Sequence, residues 1–139
     1  MIKSHVGHIV FNINPQNVAF YKNLLSFLGW SVWYEEPGVL GMGEEGGSSL
    51  WFVPPIKEGV SNDYDGLAAM NHVGIAVGAK ADVDEVVAYL QENGVPALFD
   101  TPRHRPEFSS GPDQTYYQVM FESPDRLLFE VVYTGPKSS

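Results

Sequence analysis

Two stretches of the chain, HVGHIV starting at His5 and HVGIAV starting at His72, match at four of six positions. They lie 67 residues apart (72 − 5) in a chain of 139. Such a duplication constrains the fold more than any bulk property, because the elements after the first copy should recur after the second.

They do. After the first copy, Asn14 is a predicted N-cap with Pro15 at the first helical position. Val18, Phe20, Tyr21, Leu24, Leu25 and Leu28 then recur at helical spacing up to a stop at Gly29. Three short strands are expected next, SVWYEE, GVLGMG and SSLWFVP, separated by turns at Pro37-Gly38 and GEEGG. Residues 54–69 have no clear period and read as a linker. After the second copy, Val83, Val86, Val87 and Leu90 share a helical face, Gly94 stops the helix, and VPALFD continues as a strand. A loop rich in Pro, Arg and His precedes two last strands, TYYQVMFE and RLLFEVVY, joined by SPD.

Each half therefore forms a βαβββ module whose sheet has one face covered by a helix. The other face must be buried, and pairing the two sheets is the physical solution. The expected class is α+β: two paired modules forming a curved, incompletely closed mixed sheet around a cavity, helices outside. A single domain spans 1–139, with module one at 4–54, a linker at 55–70 and module two at 71–134.

Alternation along a strand assigns faces. In the first copy Val6, His8 and Val10 share one face and His5, Gly7 and Ile9 the other. Packing the branched apolar set on the helix predicts that His5 faces the cavity and that His8 is a structural histidine. In the second copy Val73, Ile75 and Val77 pack on the helix, so His72, Gly74 and Ala76 face the cavity. In the last strand Glu130 lies between Phe129 and Val131, opposite to them in face, and a carboxylate there is costly to bury unless paired or ligated. His5, His72 and Glu130 are thus candidate ligands: two imidazoles and a carboxylate hold a divalent metal with positions left open.

A formal charge of −9 with only eight Lys and Arg argues against a nucleic-acid partner. No apolar run is long enough for a bilayer span, and the N-terminal stretch lacks a signal-peptide core. A cytoplasmic location and no membrane partner are expected. With no cysteine, the chain has no thiolate nucleophile and no Cys-ligated zinc.

These residues resemble the vicinal oxygen chelate superfamily, the glyoxalase/bleomycin resistance protein/extradiol dioxygenase fold. HVGHIVFNI…VAFYKNLLSFLGW resembles its opening, NHVGIAV…VVAYLQENGV its second module, and YYQVMFESPDRLLFEVV its closing hairpin. The resemblance implies metal ligands at His5, His72 and Glu130. It places a fourth family ligand at or next to Trp51, where no glutamate stands, which departs from the two-His, two-Glu set of glyoxalase I. Arg126 stands where the family turn usually has Gly. Arg103 and Arg105 are the clustered basic residues a phosphonate-binding transferase would need.

Two readings stay open. One is a metal-dependent enzyme of glyoxalase-like lyase, dioxygenase or thiol transferase type, using one divalent ion (Zn, Ni, Mn or Fe) and a small substrate that chelates through adjacent oxygens. The other is a metal-free small-molecule binder resembling bleomycin-resistance proteins. Candidate contacts to the small molecule are Trp33, Trp51, Arg103, His104, Tyr116 and Gln118, with Met120 on the same face as the last two. Glu35 and Glu44 are alternative general bases. The fold implies a homodimer.

Overall fold

The computed structural model describes residues 1–67 and 70–137, so positions 68 and 69 of the expected linker lie outside the described residues. The chain divides into two compact units, Met1–Ser61 and Asn62–Ser139.

In the first unit, β1 (His8–Asn12) leads into a single 3-10 turn over Pro15–Asn17 and then α1 (Val18–Phe27). The Asn14 side chain accepts from the Gln16 amide at 3.2 Å, so the cap expected from the sequence starts a 3-10 turn that feeds the α-helix. Past Leu28 the chain turns at Gly29 with φ of 87°, a left-handed conformation that glycine adopts without strain. β2 (Ser31–Glu36), β3 (Val39–Gly43) and β4 (Ser49–Val53) follow. The sheet order is β1-β4-β3-β2, with β1 parallel to β4 and the other pairs antiparallel. Helix α1 buries Tyr21, Leu24 and Leu25, and Tyr21 stacks on Phe52 with ring centroids 4.2 Å apart.

The second unit repeats this plan. β5 (Val73–Ala76), α2 (Lys80–Glu92), β6 (Leu98–His104), β7 (Gln114–Glu122) and β8 (Leu128–Pro136) form a sheet of order β5-β8-β7-β6. Here too the first strand is parallel to the last and the rest are antiparallel. Val83, Val86 and Leu90 of α2 are buried, as are Val119, Phe121, Phe129 and Val131 of the sheet, with Phe121 stacked on Phe129 at 5.7 Å. The expected α+β class and the duplication both hold at the level of strand order and sense. Among the described residues no helix is long and apolar enough to cross a membrane.

One face assignment is corrected. In β1 the buried set is Phe11 and, beyond the strand, Ile13, with Ile9 partly buried, whereas Val6, His8 and Val10 are exposed. Both alternating sets of this strand are apolar, and the bulkier Ile-Phe-Ile set removes more surface from water, so it takes the helix side. In β5 the expected assignment is observed: Val73 and Ile75 are buried, Gly74 and Ala76 open.

Register makes the correction concrete. Gly74 pairs with Glu130, and Val10 pairs with Trp51. His72 stands two residues before Gly74, and the residue two before Val10 is His8. The strand position of His72 is therefore matched in the first module by His8, while His5 is an exposed residue ahead of β1.

Candidate small-molecule site

The open face of the second sheet carries Tyr116, Gln118 and Met120 on β7 and Leu128 and Glu130 on β8, the faces that alternation assigns. Phe121, Phe129 and Val131 are on the opposite, helix-facing side. Glu130 is 5% exposed and Gln118 2% exposed, so a carboxylate and an amide are buried on a face that apolar residues would fill more cheaply. They are buried together. The Gln118 side-chain amide donates to Glu130 Oε2, and Tyr116 donates its hydroxyl to Glu130 Oε1 at 2.7 Å. Arg105 Nε in turn donates to Gln118 Oε1 at 2.9 Å, which fixes which end of the amide is oxygen. The result is a relay, Arg105–Gln118–Glu130–Tyr116, in which both carboxylate oxygens are satisfied. Burial, and after it the hydrogen bond and charge of Glu130, push the Tyr116 hydroxyl up to about 12, so it stays a donor at neutral pH.

Above this floor lies a concavity of about 360 Å³ within the second unit. Its walls include His72, Phe99, Arg105, Phe108, Met120 and Leu128, with Glu130 and Gln118 reaching it from below. Gly74 pairs with Glu130, and a Cβ there would stand 3.6 Å from Glu130 Oε1, at ordinary contact distance. Phe108 packs edge-on against Tyr116 at 5.4 Å. Phe99, on the cavity wall, has φ of 55° and Asp100 φ of 59°, left-handed conformations that cost a bulky residue energy.

His72 Nδ1 lies 2.6 Å from the side-chain oxygen of Asn71. That oxygen accepts, so a neutral ring donating from Nδ1 carries its lone pair on Nε2, the tautomer of a metal ligand. Among the described residues no three His, Asp or Glu side chains are grouped closely enough to hold a metal ion by themselves. Two donors of the required chemistry, His72 and Glu130, share this cavity.

The other candidates from sequence fall as follows. Tyr116 and Gln118 belong to the relay. Arg103 is exposed and paired with Asp100 at 3.8 Å, away from the cavity lining, and Arg105 two residues on is the guanidinium that faces it. His104 Nδ1 accepts the Tyr116 amide at 3.3 Å and bonds Thr115 Oγ1 at 2.6 Å, which pins the β6 end to β7. Trp33 and Trp51 sit in the first unit, over Gly43 and Gly41, and Trp51 Nε1 donates to Ser49 Oγ at 2.9 Å. Glu35 is ion-paired with Lys22 at 2.9 Å, and Glu44 caps a turn through the amides of Gly46 and Ser48.

Sequence reading missed Tyr64, Asp65, Asn71, Phe99 and Phe108. Only the two phenylalanines carried a signal, Phe99 as an apolar residue of the expected strand VPALFD and Phe108 as one in the polar loop after it. Tyr64 and Asp65 come from the presumed linker.

Comparison with solved structures gives the same architecture. The chain is 24% identical to a candidate glyoxalase from Bacillus halodurans, covering 92% of this chain and 94% of that one with a TM-score of 0.75. A glyoxalase/bleomycin resistance protein from Albidiferax ferrireducens T118 is 17% identical over 94% of this chain and 99% of that one, TM-score 0.71. A glyoxalase/dioxygenase from Nostoc punctiforme is 16% identical over 94% and 91%, TM-score 0.70. No protein-family model matches the chain. No curated protein matches it either. At these identities the likeness establishes the fold, the one expected from the sequence resemblance.

Proposed function

We propose that the protein is a metal-dependent enzyme of the glyoxalase/dioxygenase type, acting on a small molecule held in the second-module cavity. The observation that carries this reading is the buried Glu130 sharing a cavity with His72, whose Nδ1 is held by the Asn71 side chain. His72 and Glu130 would supply two donors; the sequence match assigns a third to His5, while by strand register the first-module counterpart of His72 is His8. A bound divalent ion would act as a Lewis acid on adjacent substrate oxygens.

The rest of the work falls to the chain. Gln118 and Tyr116 hold the Glu130 carboxylate in one orientation, and Asn71 holds the His72 ring. Phe99, Phe108, Met120 and Leu128 bind the apolar part of the molecule and exclude water. Arg105, held through Gln118, presents a positive charge to any oxyanion on it.

A second reading, a metal-free binder, is favoured by one specific feature. Both Glu130 oxygens already accept hydrogen bonds, and the lining has two carboxylates, Asp65 and Glu130, against one guanidinium, which suits a neutral or cationic ligand.

Calorimetric titration with Zn, Ni, Mn and Fe(II) separates the two. The enzyme reading expects about one ion per chain, with affinity reduced roughly 100-fold or more in His72→Ala and Glu130→Gln. His5→Ala and His8→Ala test whether either histidine contributes to that affinity. Absence of binding for all four ions overturns the metal reading and leaves the binder.

A further inference from the structure

The turn between β7 and β8 contains a residue of the wrong type for its backbone. The Arg126 amide donates to Ser123 O at 3.0 Å, closing a turn over Ser123–Arg126, and Arg126 has φ of 58°. A turn followed by a left-handed residue favours glycine there, since any Cβ is crowded. What the arginine gains is visible on its other end. Its Nη1 pairs with Asp63 at 2.8 Å and its Nη2 with Asp65 at 2.6 Å, and its guanidinium lies 4.5 Å over the Tyr64 ring. One side chain clamps three consecutive residues of the segment before β5.

Two further bonds fix that segment on the same hairpin. Asn62 donates to the Asp125 carbonyl at 3.0 Å, and Tyr64 donates its hydroxyl to Glu122 at 2.7 Å. Asp63 also accepts the Asp65 amide at 3.0 Å, so the segment is turned into a compact strap. Tyr64 and Asp65 then form one wall of the cavity that Glu130 floors. Arg126 does not line it.

We propose that Arg126 is a positioning residue: through the ionic strap 62–65 it fixes one wall of the second-module cavity and so sets the access and shape that a ligand meets. The proposal rests on that cavity being the small-molecule site, but the strap itself can be tested without any ligand. The strap is held by charge and the hairpin by its own turn, so the two can be separated by substitution.

Arg126→Gly is the discriminating variant in the full chain, because glycine suits the turn and removes the clamp. Hydrogen exchange, thermal stability and fluorescence of 1-anilinonaphthalene-8-sulfonate added as an apolar probe are compared with wild type. The expected result is a melting temperature at or above that of wild type. Exchange in 62–65 accelerates roughly tenfold or more, β7 and β8 remain protected, and probe fluorescence increases as the wall opens. Asp63→Asn/Asp65→Asn, which leaves the turn sequence intact, should give the same release, and Arg126→Lys should restore part of the protection. Unchanged exchange in 62–65 overturns the proposal. So does a fall in melting temperature with faster exchange across the whole sheet, which would make Arg126 a turn residue only. Should the cavity bind no metal or ligand even in wild type, the exchange arms still decide the strap.

Discussion

Replacing Gln118 by Met keeps the volume and removes both ends of the relay. Gln118 is 2% exposed and Glu130 5% exposed, so the carboxylate oxygen left behind is shielded from bulk water, whereas the Arg105 side chain, 19% exposed, stays partly hydrated. Glu130 Oε2 loses its donor, and Arg105 Nε loses its acceptor at 2.9 Å. A hydrogen bond to a charged group contributes about 1.5–3 kcal/mol, and a buried polar group left unpaired costs about 1–3 kcal/mol or more when charged. Tyr116 still serves the other oxygen, so the expected loss is about 3 kcal/mol. For 139 residues, an unfolding entropy of about 2.1 cal/mol/K per residue gives roughly 3.4 °C per kcal/mol, hence a melting temperature lower by about 10 °C. The double variant Gln118→Met/Glu130→Met removes the buried charge along with its partner. It should be more stable than the single variant by about 1–2 kcal/mol, because a pair deleted whole leaves nothing unsatisfied. Scanning calorimetry of the wild type, both single variants and the double variant closes the cycle. A Gln118→Met protein within about 0.5 kcal/mol of wild type, or strict additivity of the two changes, would refute the claim that the relay is what allows Glu130 to be buried.

Two other outcomes are expected. Asp63 is held below the ordinary carboxylate range, first by its hydrogen bond from Arg126 and then by the Asp65 amide. A folded value below the unfolded one means that the strap's stabilisation is present above about pH 4 and lost as pH falls through the folded value. Exchange protection of 62–65 should therefore fall in acid before that of β7 and β8. Asp63→Asn should weaken the dependence, leaving the part carried by the Arg126 pair with Asp65; Glu122, Tyr64 and Asp125 also face this cluster. In the first module, a Cβ on Gly41 would meet the Trp51 ring at 2.5 Å. Gly41→Ala should displace that ring from its bond to Ser49, costing about 1–3 kcal/mol, with a shift in tryptophan emission; an unchanged spectrum and stability would show the ring is not seated there.

Much of the fold was legible because hydrophobic period and turn residues agreed locally. Gly29 and Gly94 ended helices as their type suggests, with φ of 87° and 69°. The alternation in RLLFEVVY placed Glu130 correctly against Phe129 and Val131. The first strand misleads for an equally physical reason. Val6 and Val10 oppose Ile9 and Phe11, so period two gives no contrast, and the match between His5 and His72 then selects the wrong face. By register the equivalent residue is His8, an offset of 64 (72 − 8) against 67. The two offsets differ by an odd number, which turns every side chain to the other face. Arg105 was named only as one of a basic pair with Arg103, and Tyr64 and Asp65 were illegible, for a different reason. Their place depends on a bulge in β6 and on ion pairs to residues more than sixty positions away, such as Arg126 to Asp63.

The seating of Trp33 on Gly43 and Trp51 on Gly41 has a practical corollary. With Trp30, these are all the tryptophans of the chain, and each falls in the first unit, whereas five of the seven tyrosines, Tyr64, Tyr89, Tyr116, Tyr117 and Tyr133, fall in the second. Excitation at the red edge of the absorption band therefore reports on one module alone, while tyrosine absorbance is weighted to the other. The duplicated halves carry separate native chromophores, so whether they unfold together or in sequence is readable without a label.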